Sequence, residues 1–212
     1  MAHSIEAPKS TLRNLVDALQ ALANAINSEN PHIMITQFVQ VPHRFDLSVL
    51  GIAFVYLNRH VEEKVNIILK NSTPEETVQA ILEREIAAGT AKKKNSRSIN
   101  IVRMTRMIEM AKIVFQQIKI NEGPDSIIDP MIAAYDQVFA PYHEPNAKEE
   151  VHSKLKEFCP PKSTFFNTIL KGDENLAQEI LGNYIAASEV VIKYIQDVFM
   201  STEVGAQLLR QI

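Results

Sequence analysis

Apolar residues recur at three- and four-residue steps along the whole chain, and no long alternating pattern of the strand type competes with them. Leu12, Leu15, Val16, Leu19, Leu22, Ala23 and Ile26 form the first such series, which predicts one amphipathic helix. A second long helix is predicted from about Phe45 to Leu69. Thr73 is read as the cap of the next, with Pro74 in its first turn and Glu76 completing a capping box, and Gly89 ends it. The polar link AKKKNSRS leads into a long helix over about Ser98 to Ile120, which Gly123 and Pro124 terminate. Helices over about Asp129 to Ala140 and Asn146 to Phe158 follow. Cys159, Pro160 and Pro161 then break the chain before helices over Ser163 to Leu170 and Asn175 to Met200. With no repeat, low-complexity tract or long linker, residues 1–212 read as one all-α domain of about eight helices, residues 1–10 being a flexible lead.

Two of these helices carry charge where apolar residues are expected. In SINIVRMTRMIEMAKIVFQQI, at about 100° per residue, Ile101, Met104, Ile108, Ala111, Phe115 and Ile118 make one stripe. Ile99, Met110, Ile113 and Val114 make a second, nearly opposite, and leave only Thr105, Glu109, Lys112 and Gln116 clearly polar. Such a helix belongs between two layers. Arg103 and Arg106 fall within its second stripe. In the Phe45 to Leu69 helix, Lys64 falls inside the apolar arc of Leu50, Ala53, Leu57, Val61 and Ile68, and His60 lies one turn earlier at its edge.

A buried cation costs several kcal/mol unless it is paired. Lys64, Arg103 and Arg106 therefore either pair with nearby carboxylates or snorkel to solvent, or hold a small anionic group between a guanidinium fork and an ammonium.

Composition narrows the chemistry. The net charge of −3 supplies no overall field for nucleic acid, so anion binding has to be local. A lone cysteine, Cys159, cannot build an internal disulfide; it suits a reducing compartment and reads as an inert structural thiol. The longest apolar run, Leu47 to Leu57, falls short of the roughly 20 residues a spanning helix needs. The six histidines form no metal pattern, His152 reads as a solvated pair with Glu149, and no nucleophile motif or phosphate loop is present. The expectation is a protein that is not an enzyme and uses no metal or cofactor.

Three stretches, LSVLGIAFVYLNRHVEEKV, SINIVRMTRMIEMAKIVFQQI and DPMIAAYDQVFAPYH, resemble the glycolipid transfer protein family, and most of all its plant members that accept ceramide-1-phosphate. The resemblance implies a two-layer, all-α sandwich enclosing an apolar pocket for lipid chains, with a polar headgroup site at the surface. It implies headgroup roles for His60, Lys64, Arg103, Arg106 and His143, and a chain pocket walled by Ala53, Leu57, Ile99, Met110 and Phe139. Sugar-selective members carry a Trp where Arg103 stands, and this chain has no Trp, so the resemblance favours a phosphate head. Two positions depart from the family: His60 replaces its headgroup aspartate and Ile99 replaces an arginine.

The function implied is a cytoplasmic, monomeric protein that carries one phosphate-headed sphingolipid or related lipid between membranes, touching them only peripherally. Tyr142, Phe165 and Phe166 are candidates for membrane insertion, with Lys92, Lys93 and Lys94 adding attraction to anionic lipid. Alternatives are a sensor or adaptor that binds lipid without transferring it, and a sugar-head transfer protein.

Overall fold

The computed structural model describes residues 10–44, 52–118 and 123–211; the side chains of His43 and of residues 52–58 are outside that set. The flexible lead, apart from Ser10, the helix start at Phe45, and the pocket side chains of Ala53 and Leu57 thus lie outside the described residues.

Thr11–Ile26 forms α1, whose N-cap is Ser10, with the Ser10 hydroxyl accepting from Arg13 N. The four-residue turns Ile35–Phe38 (α2) and Gln40–His43 (α3) precede Ile52–Leu69 (α4), Val78–Ala87 (α5) and Arg97–Gln117 (α6). Ile128–Val138 (α7), Pro145–Phe158 (α8), Lys162–Ile169 (α9), Ala177–Met200 (α10) and Glu203–Arg210 (α11) complete the chain, with 3₁₀ turns at Ala140–Tyr142 and Glu174–Leu176. The eight expected helices correspond to α1 and α4 to α10. The turns α2 and α3 are too short to give a sequence period of their own, and the C-terminal α11 adds a helix beyond the expected set.

Helix α6 is the hub. It packs against α4, α5, α7, α10 and α11, while α10 also lies along α1. Both of its apolar stripes are covered: Ile101 and Met104 are fully buried on one face, and Ile99, Ile113 and Val114 are buried on the other. Thr105, expected in the polar arc, is buried too, and its hydroxyl donates to the Ile101 carbonyl at 2.9 Å. Tyr184 of α10 donates to the Ile108 carbonyl at 3.2 Å and meets Phe115 edge to face. Phe165 and Phe166 of α9 are buried beside this cluster, with Phe165 centred 6.5 Å from Phe115. They complete the core, so the expectation that they insert into a membrane is corrected.

The capping box at Thr73 does not form. Helix α5 starts four residues later, and the Thr77 hydroxyl accepts from Ala80 N. Thr73 to Glu76 instead closes a turn, Glu76 N donating to the Thr73 carbonyl at 3.2 Å, and an isolated bridge then pairs Thr77 with Met34. Glu76 is needed elsewhere: buried, it pairs with Arg97 at 2.6 Å and with Arg84 at 2.5 Å. Arg97, itself buried, also donates to the Ile68 carbonyl and to the Ser72 hydroxyl. It thereby ties the end of α4 to the start of α6. The same end of α6 receives the Glu85 carboxylate, which accepts from Arg97 N and Ser98 N at 2.9 Å each. An anion there meets the free N–H groups and the positive end of the helix dipole.

Removing one partner of a buried pair leaves the other charge uncompensated. Arg97→Ala is therefore expected to cost about 3–5 kcal/mol, lowering Tm by roughly 2–4 °C per kcal/mol in a domain this size. Arg84, whose side chain is 54% exposed, contributes through a solvent-screened pair, and Arg84→Ala should cost under about 1 kcal/mol. Thermal denaturation of the two variants tests the ranking.

Candidate functional site

His60 and Lys64 stand one turn apart on α4, on the side where α4 meets α6. The face that carries Lys64 also carries Val61, Val65 and Ile68, all buried, and Lys64 itself is only 8% exposed. The lysine has no carboxylate partner among the described residues. Its ammonium instead contacts the His60 imidazole, with Nζ 2.6 Å from Nε2. Arg103 approaches from α6, half-buried and likewise without an acidic partner among the described residues.

The electrostatics record this crowding. Burial, and then the neighbouring Arg103 charge, push Lys64 down from 10.5 to about 8, with Glu63 acting weakly the other way. Burial lowers Arg103 as well. His60 is lowered by burial and then by Lys64, with Glu63 pulling the other way and Arg103 adding a smaller push downward. The nearest acid to His60 is Glu63, 3.9 Å from Nδ1 and 65% exposed, too far for a hydrogen bond and mostly in water. Three basic side chains thus share one mouth, where Arg103 disfavours the charge of Lys64 and both disfavour that of His60.

Arg106 is placed differently. It is buried, donating to the Val138 carbonyl at 3.1 Å and to the Leu209 carbonyl at 2.6 Å. These carbonyls close α7 and α11, whose C-terminal ends carry partial negative charge. The guanidinium also lies over the Tyr142 ring at 3.7 Å. Arg106 therefore pins two helix ends and the 3₁₀ turn together, and Tyr142, still 39% exposed, is the underside of that contact.

His143 follows the 3₁₀ turn and is exposed. Its Nδ1 lies 2.7 Å from the Tyr135 hydroxyl, and its ring stacks on Phe139. Burial and Asp136 raise Tyr135, keeping it a phenol that hydrogen-bonds the imidazole and fixes the ring's orientation. Tyr135 was not singled out from the sequence, although the four-residue spacing Tyr135, Phe139, His143 carries the signal. His152, expected to pair with Glu149, meets Asp136 of α7 at 2.7 Å and so fastens α8 to α7.

Among the predicted pocket residues, Ile99 is buried, and Met110 and Phe139 are partly buried against the core. Burial raises the Cys159 thiol to about 11, which keeps it unreactive at neutral pH. A separate depression of about 310 Å³, lined by Gln117, Ile118, Pro124, Asp129 and Lys162 among others, contains none of the predicted site residues. Among the described residues no helix is long and apolar enough to cross a membrane, and no cluster has the makings of a metal site.

Comparison with known proteins agrees with this architecture. Residues 35–171 match the glycolipid transfer protein (GLTP) family. The chain is 31% identical over 199 residues to accelerated cell death 11 of Arabidopsis thaliana, covering 92% of this chain and 94% of that one. A crystal structure of an aspartate-to-asparagine variant of the same Arabidopsis protein, complexed with C12 ceramide-1-phosphate, superposes with a TM-score of 0.83 at 30% identity, covering 93% of this chain and 98% of that one. Human ceramide-1-phosphate transfer protein, solved with 2:0 ceramide-1-phosphate, shares the fold with a TM-score of 0.75 at 16% identity, covering 92% of this chain and 97% of that one.

The electrostatic coupling is directly measurable. Side-chain NMR of Lys64 in the lipid-free protein should titrate near 8, and Arg103→Gln should move that midpoint upward. Because the unfolded chain holds the Lys64 proton more tightly, the stability that Lys64 contributes should rise as pH goes from about 8 to 10.5. A Lys64 midpoint that Arg103→Gln leaves unchanged would contradict the shared mouth.

Proposed function

The chain belongs to the glycolipid transfer protein family, and we propose that it binds one phosphate-headed lipid and carries it between membranes. The observation that carries this reading is the buried Lys64 beside the half-buried Arg103, neither with an acidic partner among the described residues. Two such cations hold an unfavourable state until an anion joins them. A phosphate presents several acceptor oxygens to a guanidinium and an ammonium at once.

In this reading Lys64 and Arg103 grip the phosphate. His60 lies beside them at the rim, and His143 offers a ring nitrogen from the far side. Arg106 adds its charge from behind Tyr142 and keeps the ends of α7 and α11 in place. The lipid chains run along Met110, Phe139 and Ile99, with Ala53 and Leu57 continuing the wall. A sugar head is disfavoured because the chain has no Trp to stack on a sugar ring and places Arg103 where the resemblance puts one. The complexes of the Arabidopsis and human relatives with ceramide-1-phosphate support a phosphate head.

Transfer is non-covalent work. Moving a two-chain lipid through water exposes CH₂ groups at about 0.8 kcal/mol each, and a protein that shields the chains lowers that barrier. The carrier acts from the cytoplasm, as a monomer, docking on membranes at the edge near Tyr142. The exposed run Lys92, Lys93 and Lys94 adds attraction to anionic lipid.

Arg103→Ala and Lys64→Ala each remove a charged hydrogen-bond donor, worth about 1.5–3 kcal/mol. Each should therefore weaken binding and transfer of ceramide-1-phosphate by roughly 10- to 100-fold while circular dichroism keeps its helical signal. Fluorescent-lipid transfer between vesicles reads this out, and wild-type rates in both variants would refute the site.

A further inference from the structure

Among the described residues, Lys64, His60 and Arg103 turn donors toward the site proposed above. Lys64 supplies three N–H bonds and no acceptor. Its 2.6 Å contact with His60 Nε2 can form only if that nitrogen accepts, because an ammonium has no lone pair to offer. The imidazole is the neutral member of the pair: burial, Lys64 and Arg103 all disfavour its charged form. Its proton therefore sits on Nδ1, and the lone pair that could have accepted from a ligand is occupied by Lys64. Arg103 is donor-only by chemistry.

A ligand facing these donors has to be rich in acceptors. A phosphomonoester suits this best, with three terminal oxygens and a charge near −2 at neutral pH. A phosphodiester head has two free oxygens and a single charge, and its second substituent has to share the space with Arg103. The lipid backbone next to the head meets the same donors. A sphingoid backbone brings an amide N–H and a hydroxyl, both of which need acceptors. A diacylglycerol backbone brings two ester carbonyls and no donor at all, so none of its polar groups is left unpaired.

We propose that this chain recognises phosphomonoester lipids through their head irrespective of the backbone, binding phosphatidic acid as well as ceramide-1-phosphate, and that the engagement of His60 by Lys64 removes the preference for an amide-bearing lipid. This rests on the phosphate-head reading and extends it to a second class of cargo. His60 acts as the specificity-determining residue. It is exposed at the rim, with a side chain 60% accessible, so substitution there tests selectivity without opening the core.

The test uses the full chain, incubated with phosphatidylcholine vesicles doped with dioleoyl phosphatidic acid, ceramide-1-phosphate or phosphatidylglycerol, and native mass spectrometry of the extracted one-to-one adducts. The wild type should extract phosphatidic acid to within about threefold of ceramide-1-phosphate and leave phosphatidylglycerol behind. His60→Asp supplies a free carboxylate acceptor and should shift the ratio roughly tenfold toward ceramide-1-phosphate, the size expected when one unpaired polar group gains a partner. His60→Ala serves as the folding control, read by circular dichroism and Tm. Extraction of ceramide-1-phosphate with phosphatidic acid more than tenfold weaker would overturn the backbone-independence and leave the phosphate-head reading standing. A ratio unchanged by His60→Asp would overturn the role of His60. Extraction of neither phosphomonoester would overturn the phosphate-head reading, and this inference with it.

Discussion

Helix α6 carries apolar side chains on two opposed faces, and both have to be taken out of water. Everything that packs on it follows from that. One stripe buries Ile101, Met104 and Phe115, the other Ile99, Ile113 and Val114, and α4, α5, α7 and α10 supply the cover. A helix enclosed this way has no solvent to satisfy its ends. Its N-terminus is closed by the Glu85 carboxylate, and the first side chain, Arg97, is held by Glu76 and the Ile68 carbonyl. The interior hydroxyls turn inward, as Thr105 does to Ile101.

The same enclosure explains why cations on α4 and α6 are informative. Arg97 and Arg106 are as buried as Lys64, yet each meets a compensating group: Arg97 a carboxylate, Arg106 two helix-end carbonyls and an aromatic face. These two stabilise the scaffold. Lys64 and Arg103 are placed where the scaffold offers no such compensation among the described residues, and burial depresses both. Functional sites commonly give up stability in this way. The distinction between buried cations that meet a carboxylate or carbonyl and those that do not says more about their roles than burial does.

Much of this was legible in the chain. The three- and four-residue periods located all eight long helices, and the double stripe of the 98–120 segment foretold a helix between layers. Lys64 on an apolar arc was visible because one charge among Leu57, Val61 and Ile68 breaks a simple pattern. What misled was local. Thr73, Pro74 and Glu76 form a good capping box in isolation, but Glu76 is claimed by Arg97, which lies 21 residues away, and the helix begins at Val78 instead. Phe165 and Phe166, beside a Pro-rich break, read as a surface feature and are core.

Periodicity, capping and the resemblance to known lipid carriers are properties of neighbouring residues, and the sequence by itself determined them: an all-α chain, a doubly apolar helix, and basic residues set against it. Whether a given cation is a strut or a ligand contact depends on groups 30 to 100 positions distant, such as Val138 and Leu209 around Arg106. No local pattern encodes those meetings. Likewise, His60 could be read from the chain as a substitution, but its loss of a free acceptor follows only from the 2.6 Å contact with Lys64. Hydrogen-bond capacity is spent pairwise in three dimensions, and the tertiary structure decided where it went.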